Sequence, residues 1–227
     1  MKLGQLWLLR HGECEGGAIL RGRTDVPLSE TGWQQMHQAL AQIKEQSLLP
    51  WRIFSSPLQR CAAFAESIAT PDSPVTLLRQ LQEVDFGHWD GRALEDLYAE
   101  QSLQLDRYWQ DPWTNSPPSG ESTRDFEARI DAAFAQILEQ LFFDDNQTDF
   151  EDQDGKLEDP RHVSGPQVAL IVTHGGVMRH LMSTALGLGQ GHGLYRQLDL
   201  PHAAVVKISV YQERQGQRHF RLHWPNA

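Results

Sequence analysis

Apolar residues along this chain follow two rhythms: short continuous runs, and runs that repeat every three to four positions. The continuous runs Gln5–Arg10, Trp51–Ser55, Val75–Leu81 and Val168–Val172 have strand length and read as buried strands. Ala203–Tyr211 and Arg218–Trp224 read as two final strands joined at Gln215-Gly216. Between them lie helical repeats. Ser29 is placed to cap a helix carrying Trp33, Met36, Leu40 and Ile43 at helical spacing. Ser56-Pro57 predicts a second helix start, with serine as cap and proline at the first position, running through Cys61, Phe64 and Ile68 to Pro71. Ser122-x-x-Asp125 resembles a capping box before Phe126, Ile130, Phe134, Ile137 and Leu141. Gly175-Gly176 opens a last helix through Met178, Leu181 and Leu186, while residues 91–118 read as short helices and loops rich in aromatics.

Strands alternating with helices predict an α/β fold, a three-layer α/β/α sandwich around a mostly parallel central sheet. Residues 1–227 are read as a single domain with a flexible acidic insertion at about 143–165. Residues 142–162 hold eight acids against Lys156 and Arg161, so they carry −6 of the net −10 and leave only −4 elsewhere. An anionic ligand need not be repelled from a pocket in the rest of the chain. The acidic balance argues against a nucleic-acid partner, and no apolar run approaches a membrane span. The opening MKLGQLWLLRHGE does not read as a secretory leader, and two cysteines, Cys14 and Cys61, suit a reducing cytoplasm.

Three apolar runs end directly in polar residues: Leu8-Leu9 in Arg10-His11-Gly12-Glu13, Ile53-Phe54 in Ser55-Ser56-Pro57-Leu58-Gln59-Arg60, and Ile171-Val172 in Thr173-His174-Gly175-Gly176. In open α/β sheets ligands bind beyond the carboxyl ends of strands. If these strands are parallel neighbours, Arg10, His11, Arg60 and His174 converge there. Two guanidinium forks with a helix N-terminus suit a phosphate.

The sequence resembles the histidine phosphatase superfamily, the phosphoglycerate mutase-like fold. The resemblance is carried by Leu9-Arg10-His11-Gly12-Glu13, continues through residues 21–29, and is reinforced by Ser55–Arg60, residues 83–91, Gly120-Glu121-Ser122 and Thr173–Gly176. It implies that His11 attacks phosphorus and becomes phosphohistidine, and that Arg10, Arg60 and His174 hold the equatorial oxygens. Gly175 N–H would add to that cradle. Glu83 is the implied proton donor and later the base, with Asp85 as the alternative. No metal or cofactor is implied, and the chain has no His-Glu-x-x-His, Cys-x-x-Cys, EF-hand or Walker spacing. Gly187, Gly189, Gly191 and Gly193 read as a flexible helix exit.

The family pattern has an asparagine where this chain has Gly17, so Arg21 or Arg23 is expected to substitute as a substrate contact. The short Glu15-Gly16-Gly17 loop looks most like bacterial alpha-ribazole phosphatases. Mutases carry basic residues shortly after the acid glutamate, whereas this chain carries Trp89, Tyr98, Tyr108, Trp109 and Trp113, a wall suited to a flat ring. The expected activity is metal-independent hydrolysis of a small phosphorylated metabolite, alpha-ribazole 5′-phosphate of cobalamin biosynthesis being the best match; a homodimer is compatible with it. The alternatives are a cofactor-dependent phosphoglycerate mutase and a non-catalytic phosphate-binding module. Cys14 reads as a small, oxidisable loop residue near the nucleophile, Cys61 and His180 as packing residues, Arg124 and Arg129 as solvated, and Glu121 and Ser122 as capping or pocket residues. His202 is weighed as an approach to the phosphate site and given little weight.

Overall fold

Leu6 and Leu8 belong to one apolar core and Trp7 and Leu9 to another, so the first strand already separates two layers. The structure, a computed structural model, describes residues 1–47, 52–143, 167–189 and 192–223. Its strands are β1 (Lys2–Arg10), β2 (Arg52–Ser55), β3 (Val75–Leu77), β4 (Gln167–Thr173), β5 (Val205–Gln212) and β6 (Arg218–His223), in the sheet order β3-β2-β4-β1-β5-β6. The β2–β3, β2–β4 and β1–β4 pairs are parallel; β1–β5 and β5–β6 are antiparallel. Helices α1 (Glu30–Gln46) and α2 (Gln59–Ser67) pack Met36, Leu40, Ile43 and Phe64 against Trp7, Leu9, Leu170 and Val172. Helices α4 (Thr123–Phe143) and α5 (Gly175–Ala185) pack Phe126, Ile130, Val177 and Leu181 against Leu6, Leu8, Ile171 and Ile208 on the other face. The fold is therefore the expected α/β sandwich with a mostly parallel sheet. No described helix is long and apolar enough to cross a membrane.

Local chemistry explains most boundaries. Ser29 Oγ accepts the Gly32 N–H at 3.0 Å and caps α1, and Ser122 Oγ accepts the Asp125 N–H at 3.1 Å where α4 begins. Four expectations need correction. The second helix starts at Gln59 behind Leu58, not at Ser56; the Ser56 hydroxyl accepts the Leu58 N–H at 3.3 Å and is also bonded to His174. The third strand ends at Leu77; the chain then turns through a short 3₁₀ segment, Arg79–Leu81, that buries Leu81. Residues 91–118 contain one 17-residue helix, α3 (Leu94–Gln110), broken at Gln101, whose side-chain oxygen accepts the Trp89 indole N–H at 2.8 Å. The glycine-rich exit from α5 leads into a short helix, α6 (His192–Gln197). The acidic insertion falls on residues outside those described, as do Trp51 and Trp224.

Candidate active site

Parallel register aligns the three strand ends. Arg10 pairs with Thr173 across β1–β4, and Ser55 with Val172 across β2–β4. Each ladder continues one step further: His11 N–H donates to Thr173 O at 2.9 Å, and Ser56 N–H to Val172 O at 3.1 Å. His11, Ser56 and His174 therefore emerge side by side, with the two imidazole centroids 5.3 Å apart. Gly12 allows the turn after His11 to lie directly on the first turn of α1, since a Cβ there would overlap the Gly32 backbone.

Hydrogen bonds fix both ring tautomers. His11 Nδ1 lies 2.8 Å from Gly12 O, which can only accept, so Nδ1 carries the proton and Nε2 keeps its lone pair. Burial, with Arg60 and Arg10 adding to it, holds His11 well below the ordinary histidine range despite the Gly12 bond. At His174 the polarity is reversed. Arg60 Nε–H can only donate, and it meets His174 Nδ1 at 3.2 Å, so the proton sits on Nε2 and is directed to Ser56 Oγ at 2.8 Å. Burial and then Arg60 hold this ring well below the usual range too. Arg60 is fully buried and is anchored by Nη1 to Thr24 O at 2.9 Å and Nη2 to Gly22 O at 2.6 Å. Cys14 Sγ lies 3.5 Å from His11 Nδ1, and Cys61 Sγ 3.7 Å from His174 Nε2. Burial pushes both thiols up, so each acts as neutral packing behind a histidine.

Glu83 faces the same region from the segment after the 3₁₀ turn. Its carboxylate accepts the Gly176 N–H at 2.9 Å and its own neighbour Val84 N–H at 3.0 Å, so it rests on the first turn of α5. A Cβ at residue 176 would collide with that carboxylate. Arg129, expected to be solvated, instead holds the Glu83 segment from behind: it donates to Gln80 O at 2.6 Å, Gln82 O at 2.7 Å and Glu83 O at 2.9 Å, and pairs with Glu121 at 2.6 Å. Asp85 turns elsewhere, accepting Gly87 N–H at 2.9 Å and pairing with Arg23 at 3.2 Å.

The other expected contacts divide. Arg23 pairs with Asp85 and, at 3.6 Å, with Glu121. Arg21 donates to Glu15 O at 2.9 Å and Gly17 O at 2.5 Å, pinning the short loop whose glycines have φ of +86° and +69°. Its charge lowers His202, though less than burial and Arg10 do. The His202 ring lies 6.1 Å from that of His11, so this residue does approach the site. Gly175 starts α5 beneath two guanidiniums; a Cβ there would lie 2.9 Å from Arg179 Nη1 and 3.5 Å from Arg10 Nε. Arg10 donates by Nη1 to Leu200 O, and burial holds it below the ordinary arginine range, with Glu83 opposing and Arg179 reinforcing the shift.

A cavity of about 280 Å³ is lined by Arg10 and Glu83 together with Phe86, Tyr108, Trp109 and Phe126 and with Arg179, Tyr195 and Arg196. In the sequence Ser56 reads as a helix cap, not as a partner of His174, and Arg179 and Tyr195 do not stand out. Arg179 was within reach of a sequence reading, because Gly175 and Arg179 lie four apart on one helix face. Tyr195 was not, since α6 falls in the segment read as a glycine-rich exit.

This site and sheet define a phosphate-handling α/β enzyme class, and comparison with known proteins places it. The model of the histidine phosphatase superfamily (branch 1) matches residues 6–142 and 156–222. The chain belongs to that superfamily. It is 31% identical over 93% of its length to a Salmonella choleraesuis protein named "Probable phosphoglycerate mutase GpmB", covering 86% of that protein. It is 34% identical over 90% of its length to the Mycobacterium tuberculosis "Bifunctional protein Rv2228c", covering 50% of it. Among solved structures, the alpha-ribazole phosphatase from Shigella flexneri superposes with a TM-score of 0.71 at 21% identity, over 96% of this chain and 95% of that one. Mycobacterial glucosyl-3-phosphoglycerate phosphatase superposes with a TM-score of 0.73 at 22% identity, over 97% of each chain. These superpositions establish a shared histidine phosphatase fold.

Proposed function

We propose that this chain hydrolyses a small phosphomonoester through a phosphohistidine at His11. One observation carries the reading: His11 Nδ1–H is spent on Gly12 O, which leaves Nε2 unprotonated beside Arg10, Arg60 and His174. His11 Nε2 forms the bond to phosphorus while the bond to the leaving oxygen breaks, and Glu83 delivers a proton to that oxygen. Water then attacks phosphorus, Glu83 takes its proton, and the phosphorus–nitrogen bond breaks to release inorganic phosphate. Arg10 and Arg60 stabilise charge on the phosphoryl oxygens, and His174 Nε2–H turns from Ser56 Oγ towards the third. None of these steps draws on a metal. The test is H11A on phenyl phosphate, together with trapping of an acid-labile phosphoenzyme. Full rate in the variant would remove the nucleophile from this account.

On the aromatic walls alone, alpha-ribazole 5′-phosphate is the first metabolite to assay. Its hydrolysis would assign the protein to cobalamin biosynthesis. The two buried free cysteines support a cytoplasmic setting. A mutase reading is favoured by the relatives named as phosphoglycerate mutases. Conversion of 3-phosphoglycerate that depends on bisphosphoglycerate and releases no phosphate would establish it.

A further inference from the structure

Among the described residues, five buried side-chain nitrogen or oxygen atoms have no protein partner, and three of them belong to walls of the cavity beyond Glu83: Arg10 Nε, Arg179 Nε and Tyr195 Oη. A buried donor without an acceptor is unfavourable, so three around one cavity mark a place where a ligand supplies acceptors. Charge points the same way. The walls carry the guanidiniums of Arg10, Arg179 and Arg196 against one carboxylate, Glu83. Arg10 and Arg179 converge over Gly175 as like charges, with Asp199 as a further acid near Arg10. Each is steadied at one end by a carbonyl of the loop before β5: Arg179 Nη2 donates to Leu198 O at 2.9 Å, and Arg10 Nη1 to Leu200 O. Such a pair gains from an anion within reach of both forks.

The rest of the lining is largely apolar. Tyr108 and Trp109 meet edge to face at 4.8 Å, and Phe86 packs on Tyr108 at 6.0 Å. The 280 Å³ volume lies at the small end of ligand sites, which run from roughly 300 Å³ upward.

From these features we infer that the leaving group is a compact ring acid: its flat body lies on Tyr108 and Trp109, and a second anionic group, carboxylate or phosphate, is bound by Arg179 and the Tyr195 hydroxyl. This rests on the hydrolase reading and deepens it. Arg10 is shared, facing the transferred phosphoryl group on one side and this chamber on the other. The inference ranks an acidic ring above the uncharged ring of alpha-ribazole.

The experiment compares kcat/KM for phenyl phosphate, 4-carboxyphenyl phosphate and 1,4-phenylene bisphosphate in the intact protein, in R179M and in Y195F. Wild type is expected to prefer an acidic ester, and the better of the two acids identifies the second anion as carboxylate or phosphate. In R179M that preference should fall about 10-fold or more, and in Y195F by about 3-fold or more, chiefly through KM. R179K should recover part of it. Equal loss on all three esters in R179M, or no preference in wild type, overturns the inference. If R179M does not fold, an unchanged preference in Y195F overturns it alone. Failure of the underlying hydrolase reading looks different: wild type would then turn over none of the three, or H11A would match it.

Discussion

Arg60 Nε donates to His174 Nδ1 over 3.2 Å, joining residues 114 positions apart and orienting the ring beside His11. The same guanidinium binds Gly22 O and Thr24 O, so it also fixes the loop that follows the nucleophile. A lysine ammonium carries its three donors on one nitrogen and cannot reproduce the spacing of Nε, Nη1 and Nη2. R60K should lose about 100-fold or more in kcat/KM and roughly 2 kcal/mol or more of stability as buried acceptors lose their donor. Steady-state kinetics and urea melts check both. A variant with intact stability and activity would mean that the three-way anchoring has no consequence.

Glu83 and Asp85 separate cleanly. The Glu83 carboxylate lies over α5 and lines the cavity, whereas Asp85 pairs with Arg23. E83Q should reduce kcat/KM, which reports the phosphoryl-transfer step, about 100- to 1,000-fold on an alkyl phosphate, whose alkoxide needs a proton, and much less on 4-nitrophenyl phosphate. D85N should change either rate by less than about 3-fold, since a pair this exposed contributes little. The leaving-group dependence is the decisive readout; an equal loss on both esters would assign Glu83 to binding instead of proton transfer.

How far these features were legible in the sequence depends on whether local or distant contacts set them. The run Leu6–Leu9 followed by Arg10-His11, and Val168–Val172 followed by Thr173-His174, are local statements of a buried strand with a polar end. Both strands follow from that pattern; their convergence needed the further condition that they be parallel neighbours, which the β1–β4 and β2–β4 pairings meet. Ser29 is legible for the same reason: its partner, Gly32 N–H, is three residues away. Ser56 carries an equally good local cap signal, but its hydroxyl is bonded to His174, 118 positions on. The Val75–Leu81 run has strand composition throughout, yet Arg129 draws the carbonyls of Gln80 and Gln82 aside. The paired forks of Arg10 and Arg179 appear only when α5 is seated against the end of β1.

Gly176 tests how tightly the acid is placed. A methyl group there would collide with the Glu83 carboxylate, which must then leave the Gly176 N–H. G176A should lower kcat/KM by about 10-fold or more on the alkyl phosphate, with a smaller loss on the nitrophenyl ester, reproducing the pattern of E83Q. R129M should do likewise by releasing the 80–83 backbone, at an added stability cost of about 2–3 kcal/mol. Loss of stability without the leaving-group signature would confine Arg129 to structure.

Acid should destabilise the fold through the paired histidines. His11 and His174 are both held well below 6.5, mainly by burial, so both are neutral in the folded chain. Below 6.5 the unfolded chain takes up protons that the folded chain refuses. The unfolded state then binds more protons, so stability falls as pH drops from 6.5 towards the depressed folded values, by up to about 1.4 kcal/mol per pH unit for each ring. Urea midpoints measured from pH 7.5 to 5 should decline below 6.5, and H11N should flatten part of the slope. For the same reason the nucleophile stays unprotonated below the ordinary histidine range, and His11 should not impose an acidic limb near 6.5 on kcat/KM.

His180 should act with the opposite sign. Burial alone would lower it, but hydrogen bonds and charge from Glu127 and Asp131 outweigh that and raise it above 6.5. Its Nε2 lies 2.7 Å from Asp131 and its Nδ1 3.6 Å from Glu127, which also accepts the Trp113 indole N–H at 3.1 Å. A raised folded pKa means that the folded chain holds the proton more tightly. The stabilisation is therefore complete below 6.5 and is lost as pH rises through the raised value. Asp131 is 56% exposed, so solvent screens that partner and the whole effect should be on the order of 1 kcal/mol. The stability difference between wild type and H180Q, followed from pH 6 to 8.5, should shrink as pH rises, and an NMR titration should place His180 above 6.5. A difference that grows with pH would show that the ring is neutral at pH 6 and held by its hydrogen bonds alone.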